Sequence, residues 1–119
     1  KNGVNLVLQP MTRAYFLRKW LYENGFEIVE EDVAECENRL YSVVKARYIG
    51  EFSGVDDVFE RLGKIDISKS LGQKYAKNQA KILEKVGNGL KNSRENLEKS
   101  MSKLSTAEKI RQKLEEYYD

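Results

Sequence analysis

The sequence predicts an α+β chain: a β-α-β-β unit followed by a basic α-helical coiled-coil hairpin. Three observations carry that expectation. Val4-Asn5-Leu6-Val7-Leu8 is a short, nearly continuous apolar run stopped by Gln9-Pro10. The spacing then turns helical and closes at Asn24-Gly25. Beyond about Leu71 it is helical again, and the charge turns strongly positive.

The first run suits a strand buried on both faces, as in a parallel sheet. Pro10 ends its ladder because it has no N–H to donate. Thr12 is placed to cap a helix running to Asn24. Tyr15, Phe16, Lys19, Trp20 and Leu21 form its inner face, widened by Leu17 and Tyr22. Gly25 takes the left-handed conformation that ends it. Phe26, Ile28 and Val33 mark a second strand, Glu35 to Asn38 a turn, and Leu40 to Tyr48 a β-prone return strand. The short connection makes this pair antiparallel. Residues 4–49 are thus expected to form a three-stranded mixed sheet, with the helix on one face and Leu6 and Leu8 beside the return strand.

Residues 50–70 read as a connector. Within it Val55, Val58, Phe59 and Leu62 form a short amphipathic turn ended by Gly63. In residues 71–119, Leu83, Val86, Leu90, Leu97, Met101 and Leu104 fall on one helix sector at ~100° per residue. That phase carries the helix through Gly87-Asn88-Gly89. Ala107, Ile110, Leu114 and Tyr118 share a different face, and Ser105-Thr106-Ala107-Glu108 has the form of a capping box. The turn is therefore expected at Lys103 to Ser105, with Gly87 to Gly89 the alternative.

Composition narrows the chemistry. The chain has 119 residues and a formal net charge of +2. No apolar run approaches the ~20 residues of a membrane span. The absence of histidine excludes a Ser-His-Asp triad, a Cys-His pair and histidine-ligated metals. Cys36 is the only cysteine, so no internal disulfide forms, and a reducing, cytoplasmic setting is expected. No secretory leader or lipidation motif is visible. The chain starts at Lys1 and enters a strand within a few residues, which suggests the distal part of something longer.

Gln9 and Pro10 follow the first strand, and the carboxyl ends of strands in open α/β sheets face the ligand crevice. Gln9 either reads a nucleobase through its amide or satisfies loop backbone groups. Arg13 and Arg18 are solvated helix charges or phosphate contacts. Glu30, Glu31 and Asp32 alternate faces along a strand and suit a solvated edge better than a metal site. Cys36 lies between Glu35 and Glu37, neighbours that disfavour a thiolate. From Lys64 to Lys113 there are 13 Lys and Arg against 5 Asp and Glu, a net of +8. Lys74, Lys77, Lys81, Lys85, Lys99 and Lys103 fall on one side of the projected helix. Such a stripe either tracks a nucleic-acid backbone or is the solvated face of a coiled coil.

Leu6-Val7-Leu8-Gln9-Pro10, Leu17-Arg18-Lys19-Trp20-Leu21, Asn24-Gly25-Phe26-Glu27-Ile28-Val29-Glu30-Glu31-Asp32 and the Tyr-containing strand Leu40-Tyr41-Ser42-Val43-Val44 together resemble the bacterial tRNA (adenine(22)-N1)-methyltransferase family. The family is S-adenosyl-L-methionine-dependent, with a class I, Rossmann-like fold and a helical coiled-coil arm. Met11 departs from the Asn of many members. The resemblance implies that residues 1–49 supply the fifth to seventh strands of the methyltransferase sheet, with 71–119 the arm. The cofactor half would lie upstream. The chain is then a C-terminal portion of such an enzyme: Gln9 and Pro10 floor the base pocket and the six lysines bind tRNA. S-adenosyl-L-methionine is the parent's cofactor, and this portion alone would bind none and be inactive. The alternative is a non-enzymatic helical interaction module. Homodimerisation through the open sheet edge or the arm is a further expectation.

Overall fold

The computed structural model describes residues 4–10 and 13–117. Three strands come first: β1 (Asn5–Leu8), β2 (Phe26–Cys36) and β3 (Arg39–Tyr48). Helix α1 (Ala14–Glu23) joins β1 to β2. Helices α2 (Asp57–Leu62), α3 (Ser70–Leu90) and α4 (Leu97–Glu115) follow, with one 3-10 turn at Arg94–Asn96 before α4.

The strand order is β1-β3-β2 and both pairings are antiparallel. The expected mixed sheet is thus corrected, although the antiparallel return strand stands. Leu6 lies opposite Ala46 and Leu8 opposite Val44, as the sequence indicates. β1 is an edge strand, with Val7 71% exposed, so burial on both faces does not hold. The hairpin turn is tighter than expected. Only Glu37 and Asn38 make it, both at positive φ, the backbone that matches strand twist in a two-residue loop.

A bulge between Ile28 and Glu30 sets the chemistry of the sheet's inner face. Ile28 pairs with Ala46 and Glu31 with Val44, so the extra residue, Val29, carries Glu31 onto the buried side. The expectation of a solvated acidic edge therefore fails at Glu31, while Glu30 and Asp32 are exposed. Helix α1 covers this face. Leu21 packs with Ile28, Val44 and Ala46, flanked by Leu17, Tyr22, Phe26 and Phe59. Phe16 and Trp20, expected inside, are largely exposed, and Arg18 is fully buried in their place. Thr12 lies outside the described residues, as do Met11 and Tyr118. Arg13 occupies the N-cap position, left-handed and without a side-chain cap. Gly25 closes the helix at φ +89°, where a Cβ would meet the Tyr48 ring.

The helical region differs most from expectation. The turn lies at Lys91 to Ser93, not at Lys103 to Ser105 or Gly87 to Gly89. Ser105 to Glu108 sit inside α4, so they cap nothing. The face of α3 that packs on α4 is made of small residues. Ala76, Ala80 and Gly87 are buried with Tyr75 and Leu83, whereas Val86, Leu97 and Met101 are largely exposed. A Cβ on Gly87 would stand 2.8 Å from Leu104 Cγ, which shows how closely the two helices approach. Ala107, Ile110 and Leu114 are buried on α4, as their shared face predicts. Glu84 accepts two 2.7 Å bonds from Arg111 and fastens the pair. Among the described residues no helix is long and apolar enough to cross a membrane.

Candidate functional site

The helical hairpin is tied to the sheet through one buried polar cluster. Arg18 donates Nε–H and Nη2–H to Glu31 Oε2 at 2.9 and 2.5 Å. It also donates to the carbonyls of Glu60 and Arg61 and, at 2.9 Å, to the Tyr75 hydroxyl. Helix α1, strand β2, α2 and α3 thus meet on one guanidinium. Burial alone lowers the basicity of Arg18, but the Glu31 bond and its companions outweigh it and the net direction is upward. All five donors of the fork have acceptors, which makes the cluster a structural joint. The sequence alone reads Arg18 as a solvated charge or a phosphate contact. The missed signal is that it lies about one helical turn before Leu21, within the buried stripe.

This joint fixes how the hairpin tip of the sheet faces α3. Between them runs a groove of about 560 Å³, lined by Arg39 and Tyr41 on β3 and by Lys74, Lys77 and Lys81 on α3. The lysines are three and four residues apart, so they share one helix face. Lys74 also pairs with Glu35 of β2, which holds the hairpin against α3. Lys85 is exposed one turn further along α3. Lys99 and Lys103 stand on α4, beyond the turn, so the six lysines do not form one straight stripe. Arg39 joins the basic face from the sheet, a contribution that one-helix periodicity does not reveal.

A second cavity, of about 270 Å³, adjoins the groove through Leu40 and Asn78. Pro10, Arg13, Ser42, Arg61, Tyr75 and Gln79 are among its walls. The sequence-expected pocket residues separate here, because Pro10 lines this cavity and Gln9 is exposed beside it. The Arg61 guanidinium lies 4.1 Å over the Tyr15 ring, and burial lowers its basicity. A third cavity, about 590 Å³ between α2 and α4, carries Asp56, Asp57 and Glu116 against Lys109 and Lys113. Its charges largely cancel, so it suits a polyanion less well than the lysine groove.

The fit to S-adenosyl-L-methionine is poor. That ligand carries a sulfonium cation and a ribose that polar or acidic groups must hold. The cavity beside Pro10 presents Arg13 and Arg61, and no acidic side chain among its described walls. No Gly-rich loop links β1 to α1.

A family model described as tRNA (adenine(22)-N(1))-methyltransferase matches residues 1–117. No curated protein matches the sequence. Among solved structures, a Streptococcus agalactiae protein of the NADB-Rossmann superfamily is 28% identical, with a TM-score of 0.67 over 89% of this chain and 47% of its own. The B. subtilis M1A22 tRNA methyltransferase TrmK is 19% identical, with a TM-score of 0.61 over 97% and 51%. M. capricolum TrmK, solved with S-adenosyl-homocysteine, is 17% identical, with a TM-score of 0.62 over 93% and 49%. The chain therefore spans about half the length of the structures it resembles.

Proposed function

The chain belongs to the tRNA (adenine(22)-N(1))-methyltransferase family, and we propose that it supplies the RNA-gripping portion of an N1-adenine tRNA methyltransferase. The family match across residues 1–117 carries this reading. The groove of Arg39, Lys74, Lys77 and Lys81 supports it, because clustered cations along a helix face complement a phosphate backbone. Lys85, Lys99 and Lys103 extend the positive surface over both helices. In this reading residues 1–49 complete the methyltransferase sheet and 71–119 form the arm. Gln9 and Pro10 border the base pocket at the carboxyl end of β1. Methyl transfer needs adenine N1 held in line with the methyl donor, a task of positioning. The donor is bound by the family's cofactor half, and this chain by itself binds no S-adenosyl-L-methionine and transfers no methyl group.

Binding of tRNA to the 119-residue chain at two salt concentrations tests the proposal. Phosphate contacts predict an affinity that falls steeply, by about one logarithmic unit per contact for each tenfold rise in salt. An absence of tRNA binding at low salt, with a salt-insensitive self-association instead, would favour the helical interaction module.

A further inference from the structure

We propose that the groove between β3 and α3 seats one unpaired nucleotide of an RNA, its base stacked on Tyr41 and its base edge met by the Asn78 amide. This seat rests on the RNA-gripping reading and adds a base contact to it. Tyr41 and Arg39 stand two apart on β3, so they share a strand face, and both line the groove. Tyr41 is part-exposed there, and its partner across the hairpin is Ala34, which adds no bulk beside the ring. Tyr22, Tyr48 and Tyr75 spend their rings or hydroxyls on Phe59, Phe26 and Arg18. Tyr41 spends neither: among the described residues it joins no ring pair, cation contact or side-chain hydrogen bond. Asn78 is exposed on the facing wall, and its amide likewise has no partner among the described residues.

The side chains of the groove distinguish a single strand from a duplex. Phosphates along a duplex need only cations. A ring and an amide bracketed by cations form the set that holds an unstacked base together with its phosphates. Arg39 and Lys81 form no ion pair among the described residues, whereas Lys74 is held by Glu35. They stand on opposite walls, placed for the phosphates on either side of the base. Every base has a π-face, and an amide that both donates and accepts fits the edge of adenine. About 560 Å³ falls within the ~300–1,000 Å³ of drug-sized ligand sites, the size class of a nucleotide. Pro10 lines the adjoining cavity, so the seated nucleotide is a neighbour of the methylated one in this reading. Contacts to such a flanking nucleotide set the sequence context an enzyme accepts.

Two single-stranded RNA oligomers of equal length, an oligoadenylate and its abasic counterpart, test the seat on the 119-residue chain. They carry the same phosphates and differ only in their bases. The oligoadenylate should bind about five-fold tighter or more. The Tyr41 ring protons should shift upfield in NMR spectra as a base stacks on them. Tyr41→Ala and Asn78→Ala should each lower oligoadenylate affinity several-fold and leave abasic affinity unchanged. Tyr41→Phe keeps the ring and should keep wild-type affinity. A merely structural Tyr41 would change both oligomers alike or neither. Binding of tRNA should weaken in Tyr41→Ala with its salt slope unchanged, because no charge has gone. A Lys77→Glu, Lys81→Glu variant should make that slope shallower. If Tyr41→Ala fails to fold, the wild-type ring shift and Asn78→Ala decide. Failure of the RNA reading itself looks different: neither oligomer nor tRNA binds at low salt, and the seat falls with it. Salt-dependent binding with equal affinity for the two oligomers, or with no upfield shift of Tyr41, overturns the seat and leaves the RNA reading standing.

Discussion

Arg18 and Glu31 show how much one residue's placement decides in this fold. Both side chains are fully buried, and each is the other's opposite charge there. Replacing Glu31 with Gln leaves the guanidinium charged and under-bonded in the interior. The expected loss is about 3–5 kcal/mol, read by urea denaturation. The double variant Arg18→Met, Glu31→Leu should recover most of that loss, because an apolar pair carries no desolvation penalty. A Glu31→Gln loss below about 1 kcal/mol would mean that the cluster is not a joint. Neither residue announces this role in the sequence. Glu31 is reversed from outside to inside by a single bulge residue, and alternation counted along a strand is blind to bulges. Gly63 betrays the same crowding. At φ +55° it sits where a Cβ would collide with the Glu31 carboxylate.

At the scale of elements, strands and their partners are largely legible in the sequence, and the helical turn is not. β-Branched runs, Asn24-Gly25 and the Leu6 and Leu8 register all follow from local pattern. The α3–α4 packing follows only in part, because Leu83 and Leu104 lie in it as their phase predicts, but much of the face of α3 is Ala and Gly, which apolar periodicity weighs lightly. Leu97 and Met101 give a false continuation of phase. The two glycines near the end of α3 test the packing directly. A Cβ on Gly89 would meet only open space, so Gly89→Ala should stabilise by up to about 1 kcal/mol through helix propensity. Gly87→Ala should destabilise, because its Cβ would press on Leu104. Thermal melts showing equal effects would contradict the close helix approach.

The α2–α4 contact carries its own pH dependence. Asp57 accepts from Thr106 Oγ1 at 2.7 Å and pairs with Lys109 at 3.1 Å. Burial pushes the Asp57 carboxyl up, but the Thr106 and Lys109 bonds outweigh it and hold it below its ordinary value. A depressed folded pKa adds stability above the unfolded carboxylate range and loses it as pH falls through the folded pKa. Denaturation midpoints should therefore drop below about pH 4, where an unperturbed Asp titrates. Asp57→Asn should flatten that part of the profile. An unchanged acid limb in the variant would assign the loss to other carboxylates, such as Glu84.

For the molecule as a whole, among the described residues β1 pairs on one side only, and Val7 is exposed on it. An unpaired edge of this kind recruits another strand. The chain alone should self-associate at high concentration, and Val7→Lys should reduce it. Light scattering that finds a monodisperse wild-type monomer would count against edge pairing. The basic face is visible in the sequence as charge, yet its layout is not. It is split over two helices and joined by Arg39 from the sheet. Filter binding of tRNA to a Lys77→Glu, Lys81→Glu, Lys85→Glu variant tests most directly whether α3 grips RNA. Affinity should fall by orders of magnitude at low salt, with the salt slope shallower by about three units. Wild-type affinity and slope in a folded variant would contradict it.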